Sequence, residues 1–174
     1  MSNHIAFIGV GNMGNPMAQQ LVKAGKQVKV FDVSEHAIKI AKKTGLNVVN
    51  SLDDLLSNAS SVISMLPEGK HVYELYLGEN GILKKISKDC LIIECSTIDI
   101  ETSLNVGDEA KSLGIKMIDA PVTGGVMGAR VGKLNFLVGG SNDAVKLASP
   151  LLEIMGQKIL PVSYTHLTLP TTSP

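Results

Sequence analysis

The sequence predicts an α/β fold: a doubly wound, mostly parallel sheet with helices on both faces. Three observations predict it. Short apolar runs recur along the chain, most of them closed by Gly, Asp or Pro. Segments with apolar residues at helical spacing alternate with those runs, the pattern of strands buried on both faces and joined by crossover helices. The first run passes into the first helical segment through a glycine-rich turn. The 174 residues make about one domain. Hydrophobic residues at 44% against 18% charged supply ample core material and exclude a disordered chain. Sixteen basic residues cancel sixteen acidic ones, so no nucleic-acid surface is expected. The apolar runs fall far short of the roughly 20 residues a membrane-spanning helix needs. No charged leader or Arg/Ser-rich presequence precedes the first strand, so the expected location is the cytoplasm.

The elements follow in order. Ile5-Ala-Phe-Ile-Gly-Val is the first strand, ending at Gly9. Met17, Ala18, Leu21 and Val22 fall on one face of a helix that Gly25 stops. Val28-Lys-Val-Phe is the second strand and ends at Asp32. Ser34 is placed to cap a second helix, which Gly45 ends. Val48-Val49 is a brief third strand, and Ser51-x-x-Asp54 has the form of a capping box for a short helix. Val62 to Leu66 is a fourth strand, broken by Pro67. Leu91 to Cys95 is a fifth, followed by a helix from about Asp99 to Leu113 that Gly114 stops. Lys116 to Asp119 is a strand ended by Pro121. The turn Thr123-Gly-Gly-Val-Met-Gly leads to a strand at Leu134 to Val138. A last helix, about Asp143 to Met155, precedes a short strand at Lys158 to Leu160.

Cys90 and Cys95 on one strand lie about 16 Å apart on opposite faces, too far for a disulfide, and read as small core residues. The histidines at 4, 36, 71 and 166 are scattered. Neither residue type shows metal-ligand spacing, so no metal is assigned.

The turn Gly9-Val10-Gly11-Asn12-Met13-Gly14 follows a strand and opens a helix. In that context G-x-G-x-x-G is a dinucleotide fingerprint. Gly9 permits the tight turn, Gly11 admits a pyrophosphate to the backbone, and Gly14 lets helix and strand pack closely. The N–H groups of the helix start then face the phosphates. Asp32 stands 18 residues after Gly14 at the end of the second strand, where an acid accepts hydrogen bonds from the adenosine ribose. A 2′-phosphate beside that carboxylate costs about 4 kcal/mol at roughly 4 Å and an effective dielectric near 20, so NAD is expected over NADP. Val33 and Ser34 follow, with no arginine to reverse the preference. A methyltransferase also uses a Gly-rich loop and an acid, but the complete spacing followed by Pro16-Met17-Ala18 fits a dinucleotide better.

The stretch Phe7-Ile-Gly-Val-Gly-Asn-Met-Gly-Asn-Pro-Met-Ala18 resembles the β-hydroxyacid dehydrogenase family. Three further blocks agree in order: Met65-Leu-Pro-Glu-Gly-Lys-His-Val72, Ser96-Thr-Ile-Asp99 and Asp119-Ala-Pro-Val-Thr-Gly-Gly125, extended by Leu134 to Gly140. The Leu-Pro-x-Gly-x-His-Val block and the stretch from Tyr76 to Leu83 are most similar to the 3-hydroxyisobutyrate dehydrogenase branch. The resemblance covers about residues 4 to 160 and implies a Rossmann-type domain of an enzyme that oxidises a β-hydroxy acid to a semialdehyde, passing hydride to NAD or NADP. It implies that Gly9 to Gly14 and Asp32 hold the dinucleotide, that Leu66 and Pro67 floor the nicotinamide half, and that Thr97 touches the cofactor. His71 falls where relatives often carry a cofactor-contacting asparagine; an exposed helical histidine is the other reading. Thr123, Gly124 and Gly125 match the turn that binds the substrate carboxylate through backbone N–H groups.

The family's proton-handling lysine lies in a Gly-x-x-Gly-x-x-x-Lys stretch after the Rossmann domain. No lysine follows Lys158, and no catalytic residue is assigned. The expected organisation is a dinucleotide-binding domain over 1–162 and a foreign or disordered tail over 163–174. The helical C-terminal domain, through which the intact enzyme would form a homo-oligomer, is absent from it. Such a fragment is expected to be inactive alone. Two other readings remain: a non-catalytic NAD-binding module, and a tartronate semialdehyde, succinic semialdehyde or glyoxylate reductase of the same family.

Overall fold

The computed structural model describes residues 3–162. The expectation of a foreign or disordered tail at 163–174 lies outside the described residues. The elements are β1 (His4–Ile8), α1 (Gly14–Lys23), β2 (Val28–Phe31), α2 (Glu35–Lys43), β3 (Asn47–Val48), α3 (Leu52–Leu56), β4 (Ala59–Ser64) and α4 (Gly69–Leu77). After a 3-10 turn at Ile82–Lys84 come β5 (Leu91–Glu94), α5 (Ile100–Ser112), β6 (Met117–Asp119), β7 (Val122–Thr123), α6 (Gly125–Arg130), β8 (Leu134–Val138), α7 (Asn142–Met155) and β9 (Gly156–Pro161).

Six strands form a sheet in the order β3-β2-β1-β4-β5-β6, every pair parallel. This is the doubly wound Rossmann order, with the chain reversing direction across the sheet between β1 and β4. Strand alternation divides the core into two layers. Ile5, Phe7, Ile63 and Ile93 join one cluster with α1, α2, α6 and α7. Ala6, Ile8, Val62 and Ile92 join the other with α3, α4 and α5. The two cysteines follow the same alternation: Cys95 is buried in the first layer and Cys90 in the second.

The Ser34 cap acts as read, Ser51 supplies its half of the capping box, and Asp99 and Ser141 are caps that the sequence reading did not name. Ser34 accepts from the Ala37 N–H at 3.2 Å and Ser51 from the Asp54 N–H at 3.1 Å. Asp99 accepts from the Thr102 N–H at 2.8 Å and Ser141 from the Ala144 N–H at 3.2 Å. Each side chain satisfies a donor that has no partner inside its helix.

Three features differ from the sequence reading. Val22 is 41% exposed, at the flank of the α1 stripe rather than in it. The stretch Gly69–Leu77, for which the sequence reading gives no element, is the helix α4, held by Val72 and Tyr76 one turn apart. The last strands do not extend the main sheet. They form a second one in the order β7-β8-β9, with β7 and β8 antiparallel. Pro121 ends β6, and the six-residue α6 returns the chain alongside Val122–Thr123 instead of carrying it over the main sheet. An antiparallel bridge between Asp119 and Gly139 joins the two sheets.

Candidate cofactor site

The three fingerprint glycines do three different things. Gly9 has φ +93°, and a Cβ there would strike the Met65 carbonyl and reach Leu66 Cδ2 at 3.0 Å. A Cβ on Gly14 would overlap the Gly9 carbonyl and touch the Phe7 ring at 3.2 Å. A Cβ on Gly11 would meet nothing within 4 Å. Two glycines thus close the turn against its neighbours, and the third leaves open space on an exposed backbone.

Asp32, at the end of β2, is half-buried beside this turn. Its Oδ2 accepts from the Val10 N–H at 2.8 Å and its Oδ1 from the Ser34 N–H at 2.8 Å. The carboxylate therefore ties the fingerprint loop to the loop that starts α2. The sequence reading assigned Asp32 only a ribose contact, and this second task depends on the approach of the two loops.

Leu66 and Pro67 leave β4 at the same sheet edge. The Leu66 N–H donates to Ser96 Oγ at 2.7 Å, binding this loop to the one after β5, where Thr97 is exposed. The Met65 N–H donates to the Ile8 carbonyl at 2.9 Å, closing the same loop onto β1. The ends of β1, β2, β4 and β5 thus gather Gly9 to Gly14, Asp32, Leu66, Pro67 and Thr97. His71 stands apart on the first turn of α4, exposed, its backbone N–H bonded to the Glu68 carbonyl at 3.1 Å. Thr123, Gly124 and Gly125 lie beyond β6, at the start of the second sheet. Gly124 has φ +121° and Gly125 φ +63°, and Thr123 Oγ1 accepts from Asn135 Nδ2 at 3.4 Å.

Two carboxyl groups at this edge escaped the sequence reading. Glu94 is buried at the end of β5 and pairs in register with Ser64 on β4 and Asp119 on β6. Burial pushes the Glu94 carboxyl up to about 7 and that of Asp119 up to about 6. Glu94 accepts from Ser64 Oγ, and its Oε1 accepts from the Ser96 N–H at 2.7 Å. The signal that could have found it is an acid on a strand whose other residues are all apolar.

A groove of about 550 Å³ opens beside Val10 to Asn12 and runs between α1 and α2, lined by Asn15, Gln19, Lys23, His36 and Arg130. It borders the fingerprint but does not include Leu66, Pro67, Thr97 or the Thr123 turn. Among the described residues no three His, Cys, Asp or Glu side chains cluster as metal ligands, and no helix is long and apolar enough to cross a membrane. The open backbone at Gly11, with a carboxylate held one strand away, fits a dinucleotide.

Comparisons with known proteins agree with this arrangement. The family model described as the NAD binding domain of 6-phosphogluconate dehydrogenase matches residues 4–164. The chain is 46% identical over 155 residues to a 3-hydroxyisobutyrate dehydrogenase of Pseudomonas aeruginosa, covering 89% of this chain and 52% of that protein. It is 44% identical to an NAD-dependent L-serine dehydrogenase of the same organism, over 89% of this chain and 52% of that protein. Among solved structures, the 3-hydroxyisobutyrate dehydrogenase of Mycobacterium tuberculosis with L-serine superposes with a TM-score of 0.87 at 39% identity, covering 94% of this chain and 55% of the other. The chain thus spans about half the length of the curated relatives it matches. A glycine turn closed by Gly9 and Gly14, an acid bound to it from β2 and a match over 4–164 place the chain in the family of the 6-phosphogluconate dehydrogenase NAD-binding domain, with 3-hydroxyisobutyrate dehydrogenases among its close relatives.

Proposed function

We propose that residues 1–162 are the dinucleotide-binding half of an NAD-dependent dehydrogenase that acts on a small β-hydroxy acid of the 3-hydroxyisobutyrate class and gives a semialdehyde. The observation that carries the reading is the uncovered Gly11 backbone beside the Asp32 carboxylate, which Val10 and Ser34 hold in place. NAD, when bound, would supply the hydride acceptor. The chain's own residues bind and orient. Gly9 to Gly14 receive the pyrophosphate, Asp32 the adenosine ribose, and Leu66, Pro67, Thr97 and His71 the nicotinamide half. Thr123, Gly124 and Gly125 offer a hydroxyl and backbone N–H groups to the substrate carboxylate, at the carboxyl edge where ligands of such sheets bind.

No side chain of residues 1–162 is assigned to the hydroxyl proton in this reading, and an enzyme without such a group is slower by about 100- to 10,000-fold. Residues 1–174 alone are therefore expected to bind NAD and to turn over little or no substrate. L-Serine belongs in the substrate panel because an L-serine dehydrogenase is nearly as similar as the 3-hydroxyisobutyrate enzyme.

Titration of the folded chain with NAD and NADP tests the binding half of the reading. Repulsion between Asp32 and a 2′-phosphate, about 4 kcal/mol before solvent screening, is expected to leave NADP at least about tenfold weaker. Equal or tighter binding of NADP would remove the assigned role of Asp32. Ordinary enzymatic rates from the 174-residue chain with 3-hydroxyisobutyrate or L-serine would show that the acid/base group lies within it.

A further inference from the structure

Ser64, Glu94 and Asp119 form a polar row across β4, β5 and β6, at the strand ends and on the α4/α5 side of the sheet. Ser64, Glu94, Ser96 and Tyr76 are all at most 1% exposed. Tyr76 on α4 hydrogen-bonds Ser64 Oγ at 2.6 Å, Ser64 donates to Glu94, and the Ser96 N–H donates to Glu94 Oε1 at 2.7 Å. Ser96 Oγ in turn accepts from the Leu66 N–H at 2.7 Å. Every donor in this chain points toward the carboxylate or toward a group that serves it. Ser64 stands two residues before Leu66, and Glu94 three before Thr97. The network joins the two loops assigned to the nicotinamide half.

We propose that Glu94 is a positioning residue for the nicotinamide end of the cofactor, fixing the loops at Leu66 and Thr97 through Ser64 and Ser96 and, when ionised, favouring the oxidised over the reduced ring. The inference rests on the dinucleotide-binding reading of the chain. Its chemistry follows from the hydrogen-bond directions. The carboxylate accepts from both Ser64 and Ser96; the carboxylic acid must donate one proton of its own, which reverses the Ser64–Tyr76 relay. A negative charge buried under the loops assigned to the nicotinamide would attract the cationic oxidised ring and gain nothing from the neutral reduced one, and burial keeps water from screening it.

The titratable groups facing Glu94 are Tyr76 on α4, Asp119 on β6, and Cys95 next to it on β5. Burial raises Tyr76 and Cys95 well above their ordinary values, so both stay neutral near pH 7. Asp119 titrates at about 6 and Glu94 at about 7. On the other face of β5, α7 buries only Ala144, Ala148, Leu152 and Met155. Asp119 is already largely ionised at pH 6.5, so Glu94 is the group of this row whose charge changes most between pH 6.5 and 8.5.

The test is to measure dissociation constants of the folded 174-residue chain for NAD+ and NADH between pH 6.5 and 8.5, with circular dichroism to verify the fold. The NADH-to-NAD+ ratio of the constants is expected to rise about fivefold with pH in the unmodified chain. It should stay flat in Glu94→Gln. Ser64→Ala removes a donor to the carboxylate and should move the midpoint of the rise to higher pH. A rise that persists unchanged in Glu94→Gln, or a midpoint unmoved by Ser64→Ala, overturns the proposal, as does a flat ratio in the unmodified chain. If the folded chain binds neither form, the dinucleotide reading itself falls and this inference falls with it.

Discussion

Gly11 and Gly14 stand three residues apart in one turn and answer to different constraints. A Cβ at Gly14 has the Gly9 carbonyl and the Phe7 ring in its way, one in the turn itself and the other in the packed sheet. Overpacking of this kind costs about 1–3 kcal/mol, so Gly14→Ala should lower the melting temperature by at least about 3 °C. Gly11→Ala should leave it within about 1 °C, since nothing lies within 4 Å, and should weaken NAD binding instead. Thermal melts of the two variants beside NAD titrations check the contrast. At this scale the sequence was informative where spacing alone sets a packing role, as at Gly9 and Gly14. It was silent on Glu94 and on the two backbone donors that Asp32 serves, because those roles exist only once separate strand ends meet.

Helices were legible where a cap, an apolar stripe and a glycine stop coincided, as at Ser34 to Gly45 and Asp99 to Gly114. The helix α4 ends at a glycine, Gly78, but lacks the rest of that punctuation: Glu68 stands at its N-cap without a side-chain bond, and Gly69 begins it. Its two buried residues, Val72 and Tyr76, are too few to display a period. The small sheet was illegible for a related reason, since strand direction after Pro121 is decided by the length of α6 and not by the apolar pattern of β8. Where a cap does act, it should be measurable. Ser141 caps α7, the fourteen-residue helix that buries Ala144, Ala148, Leu152 and Met155. Ser141→Ala should destabilise the chain by about 1 kcal/mol, read as a drop of roughly 2–4 °C in melting temperature.

Across the whole molecule the buried carboxyls set a pH response. The ordinary values are 4.5 for Glu94 and 3.8 for Asp119, and the folded ones about 7 and about 6. Between those limits the folded chain holds protons that the unfolded chain has released. Stability from these groups is therefore fully present below about pH 4 and is lost as pH rises through 6 and 7. Asp99 runs the other way: bonds from Thr102 lower its value, so its contribution fades only in acid. Urea unfolding at pH 5 and pH 8 should show the chain more stable at pH 5, by on the order of 1–3 kcal/mol. A midpoint that does not fall at pH 8 would mean the carboxyls are less buried than the structure places them. The edges of the main sheet carry a consequence of a different kind. One edge is β3, two residues long, and the other is β6, three residues long and bridged at Asp119 to Gly139. Neither leaves a run of free backbone groups long enough to template another strand. The longer, Val/Ile-rich strands of the main sheet are shut in its middle, so pairing through that sheet is guarded by the order of its strands rather than by charge.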